Sequence, residues 1–212
     1  MAIKFGNISG KAKKSSAEAY TYKEGNNVVR MVGDVLPRYV YWVTTADGKR
    51  VPMECLGFDR DKEQFTNIEK DWVRHYHPDM KCSWAYAVQC IDPDDGKVKV
   101  LNLKKKLFEA IMVAAEDLGD PTDTETGWDL CFKKQKTGPL PFNVEYTLQV
   151  LKCKNRELTD EEKEAIKELP EIDSVIPRPS ADQQKDFIES RVLDNSSSDV
   201  PDGVAEEVQE LL

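Results

Sequence analysis

Apolar and polar residues alternate with period two along several stretches of this 212-residue chain. Ser83 to Ile91 is the clearest of them. Trp84, Tyr86 and Val88 fall on one face, and Ala85, Ala87 and Ile91 on the other, as in a strand with two distinct sides. Similar alternation, enriched in β-branched and aromatic residues, predicts strands over 28–32, 38–45, 98–103, 130–136 and 144–152. Asp94-Asp95-Gly96 is a turn signal, so the strands on either side of it should form a hairpin. From 103 to 118 the period changes. Leu107, Ile111, Ala114 and Leu118 recur at helical spacing as one apolar stripe, and Gly119-Asp120-Pro121 ends it. A second helix is announced by the capping box Thr159-Asp160-Glu161-Glu162 and stopped near Leu169 by Pro170.

Strands, a helix, then two more strands give a mainly β chain. The order suits an OB-fold: a five-stranded β-barrel with one helix between strands and a C-terminal capping helix. A mixed α+β sandwich fits the pattern nearly as well. Residues 53–82 are an irregular, polar insertion. The expected organisation is a basic N-terminal arm over 1–24, a core over 25–170 and an acidic disordered tail over 171–212. Within that tail Val204, Val208, Leu211 and Leu212 have the spacing of a short helix that folds on a partner.

Charge divides the chain more sharply than hydropathy does. Residues 1–156 hold 25 Lys+Arg against 22 Asp+Glu, whereas 157–212 hold 5 against 17. The body should therefore attract polyanions and the tail basic surfaces. No apolar run approaches a membrane span and no secretory h-region opens the chain, so a soluble protein is expected. Five scattered cysteines suit a reducing compartment better than a disulfide framework.

The basic residues are placed where a phosphate backbone could use them. Lys104-Lys105-Lys106 falls in the first helical turn, where the macrodipole disfavours each cation by about 0.3–1 kcal/mol. A phosphate there would be held by lysines and free backbone N–H groups together. A solvated Lys run is the plain alternative. Lys133, Lys134 and Lys136 share a strand with Phe132, and Lys152, Lys154 and Arg156 follow the next one. Arg38 opens the strand that carries Tyr41 and Trp42. Basic residues interleaved with rings are what a single-strand groove needs, charge following the backbone and rings stacking on bases. Tyr39, Tyr41, Trp42, Trp84, Tyr86, Phe132, Phe142 and Tyr146 are candidate platforms, and about half should be core instead. Trp84 is expected in the core and Tyr41 on the platform. No code for reading base edges is visible.

Other chemistry is thinly represented. Cys55, His75, His77 and Cys82 are the only set that could offer zinc ligands, and their spacing matches no standard ribbon. No cofactor is otherwise implied. The chain lacks a phosphate-binding glycine loop, G-x-S-x-G and H-E-x-x-H, so no enzyme is expected.

The segment SWAYAVQCIDPDDGKVKVLNLKKKLFEAI (83–111) resembles the single-stranded-DNA-binding, helix-destabilising protein of T-even phages. The likeness continues through Gly119-Asp120-Pro121, Gly127, the strand DLCFKKQKTG and the aromatic segment with Phe142 and Tyr146. Lys13-Lys14-Ser15-Ser16 resembles that family's basic-hydroxyl arm motif. The resemblance implies an OB-fold that binds single-stranded DNA cooperatively in replication, recombination and repair. It further implies an arm (Lys13, Lys14, Ser15, Ser16) docking on a neighbouring protomer, a tail recruiting replication and recombination proteins, and a cytoplasmic setting, the host's if phage-encoded. The family's zinc ligands, one His and three Cys, are not reproduced. The alternatives are an OB-like protein-binding adaptor whose acidic tail mimics DNA, and a metal-dependent nuclease.

Overall fold

The structure is a computed structural model that describes residues 18–140, 143–167 and 169–193. Among these described residues ten strands and five α-helices follow in order: β1 (Gly25–Leu36), β2 (Tyr39–Thr44), β3 (Arg50–Glu54), β4 (Phe58–Asp59), β5 (Gln64–Phe65), α1 (Trp72–Tyr76), β6 (Ser83–Trp84), β7 (Ala87–Asp92), β8 (Lys97–Asn102), α2 (Lys105–Leu118), β9 (Asp129–Lys136), β10 (Val144–Leu148), α3 (Asp160–Ile166), α4 (Ile172–Val175) and α5 (Ala181–Arg191). The main sheet is antiparallel with order β10-β9-β1-β7-β8.

Both faces of this sheet are covered, which explains why every residue of β7 is buried. On one face Val29, Met31, Val88, Cys90, Leu101, Leu130 and Phe132 meet Leu107, Ile111 and Ala114 of α2. That is the apolar stripe legible in the sequence. On the other face Val32, Ile91 and Leu158 form one cluster beside α3, and Leu36, Ala87, Val100 and Ile172 form another under α4. Gly33, at φ +70°, sits where the β1–β7 register shifts, so the long first strand bends at a residue that tolerates the left-handed region.

A smaller sheet, β3-β2-β6, packs Tyr41, Val43 and Met53 against Val73 of α1 and Ile188 of α5. The segment predicted as one strand over 83–91 is in fact two. Ser83–Trp84 pairs with β2 and Ala87–Asp92 with β1 and β8, so this segment stitches the sheets together.

Four expectations are corrected. The main sheet does not close into a barrel: β10 and β8 are its two edges. The β8 edge is instead met by Ala19, with Tyr20 N–H donating to Val100 O and Val100 N–H to Glu18 O, each at 2.8 Å. Residues 18–24 are accordingly not part of a free arm, because Tyr20 and Tyr22 are buried in the main core. Nor are residues 171–193 a disordered tail. Arg178 reaches back to donate to Phe58 O (2.7 Å) and Leu56 O (2.9 Å), while buried Gln184 donates to Glu54 O at 2.8 Å and accepts from Trp72 N–H at 2.6 Å. Acidic composition concealed these few deep anchors. The 53–82 insertion also has structure, since it contains β4, β5 and α1.

Candidate nucleic-acid interface

Strands β2 and β3 pair with Trp42 opposite Pro52 and Thr44 opposite Arg50. Because side chains alternate, the residues that do not face α1 and α5 lie on the opposite side of this sheet. There Val40, Trp42, Arg50 and Pro52 form one wall of a cleft of about 290 Å³. Ala19, Arg38, Ala85, Tyr86, Asn102 and Leu103 complete it. Among the described residues no carboxylate lines it. Arg38 is fixed by its Nε, which donates to Ala85 O at 2.9 Å. Burial pulls the Arg38 guanidinium pKa down, while the charge of Glu54 opposes that shift. The Arg50 guanidinium lies 5.8 Å from the Trp42 ring centroid, within cation–π range.

The cleft runs into a second aromatic and basic group through Asn102, whose carbonyl accepts from Tyr22 Oη at 2.7 Å. Tyr22 meets Tyr146 edge-on, centroids 5.0 Å apart. Lys104 Nζ lies 5.2 Å from the Tyr22 ring and 5.8 Å from Tyr146. Lys134 Nζ donates to Tyr22 O at 3.3 Å. Lys105 and Lys106 are exposed in the first turn of α2, just beyond Lys104. The structure thus links Arg38 and Trp42, through Asn102 and Tyr22, to Lys104, Lys134 and Tyr146, with Lys105 and Lys106 following on α2. Lys104, expected on the binding surface, is only 8 % exposed and its Nζ is buried.

Other predicted residues lie elsewhere. Tyr41 is core, not platform: it is 3 % exposed and its hydroxyl meets Cys55 Sγ at 3.3 Å. Phe132 is wholly buried. Tyr86 backs the cleft but is buried, with its hydroxyl bonded to Glu63 and its ring stacked 3.6 Å from Trp84. Trp84, expected in the core, is only half-buried. Lys133 lies on the face of β9 opposite Lys134, and Lys136 is exposed near the strand end. Arg156 is engaged by Asp129 at 2.8 Å and by Glu162 at 2.6 Å, which removes it from the basic set. Phe142, Lys13, Lys14, Ser15, Ser16 and the 204–212 segment lie outside the described residues.

The possible zinc ligands are not gathered in one place: Cys55 is buried against Tyr41 in the cluster that Cys82 joins, whereas His75 is exposed on α1 between Trp72 and Tyr76. Among the described residues no group of three or more His, Cys, Asp or Glu side chains is placed to hold a metal ion.

Arg50, Pro52, Asn102 and Tyr22 were not anticipated. Asp47-Gly48, between two apolar segments, is the signal that could have placed Arg50 and Pro52 on a hairpin with Trp42.

The chain is 26% identical over 228 aligned residues to the probable ssDNA-binding protein of Escherichia phage T5, covering 90% of this chain and 86% of that one. This likeness supports a phage-type single-stranded-DNA-binding family. It extends well beyond the 83–146 region that carries most of the sequence motifs. No protein-family profile and no solved structure matches the chain. Among the described residues no helix is long and apolar enough to cross a membrane.

Proposed function

We propose that this chain binds single-stranded DNA without strong sequence preference and serves phage DNA replication, recombination and repair. The cleft carries the proposal. A half-buried tryptophan with two arginines, in a lining that holds no carboxylate among the described residues, offers a stacking surface and positive charge together. Exposed Lys105 and Lys106 at the start of α2, and Lys134 beside Tyr22, add to that charge. The relative in phage T5 is named for this activity.

The remaining segments fit the same role. Ala46, in the β2–β3 turn, donates to Arg191 O at 2.8 Å, so the chain passes that turn before residues 194–212. Those residues include six acidic and no basic side chains, a composition suited to recruiting basic surfaces of replication and recombination proteins. The Lys13-Lys14-Ser15-Ser16 segment would contact neighbouring protomers on the strand. Fluorescence anisotropy with a labelled oligo-dT, repeated at two salt concentrations, tests the binding. Saturable binding that weakens with salt is expected. Salt-independent binding, or none, would contradict the proposal.

A further inference from the structure

We infer that an apolar groove with acidic rims, on β1, α2 and the α3–α4 segment, receives residues 1–17 of a neighbouring protomer. This rests on the reading above, in which that arm joins copies along single-stranded DNA. Two adjoining clefts make up the groove. One, of about 240 Å³, lies between Met31 and Val35 of β1 and Phe108, Ile111 and Met112 of α2. The other, of about 440 Å³, runs from Val32 to Ile166, Leu169 and Ile172. They meet at Gly33, Asp34 and Thr122, which line both. Met112 is 56 % exposed, so α2 presents a large apolar side chain to solvent at this groove.

Charge selects the occupant. Asp34, Asp120, Asp123 and Glu171 line the groove, and among the described residues no Lys, Arg or His does. Such a lining repels a phosphate backbone, and it repels the acidic segment 194–212 as well. Residues 1–17 are its complement. They hold Lys4, Lys11, Lys13 and Lys14, no carboxylate, and the apolar Ile3, Phe5 and Ile8. Apolar side chains would fill the clefts while lysines meet the carboxylates of the rim. The arm starts at the β8 edge, where Glu18 O accepts from Val100 N–H at 2.8 Å and Ala19 lines the β2–β3 cleft. From Phe5 to Glu18 an extended chain spans about 45 Å. A compact chain of this length has a radius of gyration of only about 17 Å, so the arm can cross to the next copy. The groove shares no lining residue with the β2–β3 cleft, so DNA and arm can be held at once.

The test replaces Phe5 of the full chain by the photo-reactive p-benzoylphenylalanine and irradiates the protein on poly-dT. Peptide mapping should find covalent dimers joined through the peptide bearing Met112 or the one bearing Met31 and Val35. Cross-links to those peptides within single copies would overturn the assignment to a neighbour. Dimers joined elsewhere, or no cross-links, would overturn the groove itself. A second measurement compares an oligo-dT that seats one protomer with one that seats several. Asp34 lines both clefts and is exposed, so Asp34→Lys reverses the rim charge at their junction, and a melting curve establishes that the variant folds. Its preference for the longer oligonucleotide should fall at least about fivefold, because like charges then face each other, while affinity for the short one is kept. Asp34→Asn, which only removes the charge, should lie between. An unchanged preference in folded Asp34→Lys, or a wild type without any preference, would overturn the docking while leaving single-strand binding intact. A wild type that binds neither oligonucleotide would instead overturn the proposed function.

Discussion

Tyr41 and Trp42 are neighbours on one strand, and the alternation of side chains gives them opposite surroundings. Tyr41 points into the core shared with α1 and α5, and Trp42 into the cleft. Their substitution effects should separate accordingly. Trp42→Ala should weaken oligo-dT binding by about 1–3 kcal/mol, the range for loss of one base–aromatic stack, with little change in melting temperature. Tyr41→Ala should instead cost about 3–5 kcal/mol of stability in denaturant unfolding, as other buried aromatic truncations do, and spare the affinity of the folded fraction. The sequence shows that Tyr41 and Trp42 lie on opposite faces but not which face is buried. That depends on α5, whose position no local pattern reveals.

At the scale of elements, legibility tracked how many residues carry each signal. The α2 stripe repeats over three turns and was plain, whereas α5 is held chiefly by Gln184 and Ile188, one turn apart, inside an acidic segment. Ile188→Ala should therefore destabilise the protein by about 2–5 kcal/mol, read from denaturant unfolding, although it lies beyond the expected start of the tail. The start of α3 makes a different prediction. The Arg156 guanidinium, paired with both oxygens of Glu162, holds that carboxyl below its ordinary value of 4.5. A depressed folded-state pKa adds stability above the unfolded value, and that stability is lost as the pH falls through the folded one. Thermal melts should thus fall progressively below about pH 4.5, and Arg156→Gln should flatten that part of the profile.

Over the whole molecule, a net charge of −9 masks a division of labour. The basic residues of the proposed interface are few and lie at the β2–β3 face and the start of α2, while the final nineteen residues are acidic without a single base. The sequence revealed the strands, the helix and the interleaving of lysines with rings. It did not reveal the cleft, because Arg50 and Pro52 meet Arg38 and Asn102 only through the pairing of β2 with β3 and the seam at Ala85–Tyr86. Another aromatic and basic cluster surrounds Trp72 of α1, where Lys70, just before the helix, lies 3.5 Å and Lys185 of α5 lies 5.1 Å from the ring centroid. It is interspersed with Asp71 and Glu189, which makes it the poorer track for a phosphate backbone. Photo-cross-linking of oligo-dT to the full chain, followed by peptide mapping, distinguishes the two faces directly. Cross-links on the peptides bearing Trp42 and Tyr146 are the expected result; cross-links confined to Trp72 and Tyr76 would contradict the assignment of the β2–β3 cleft as the DNA-binding surface.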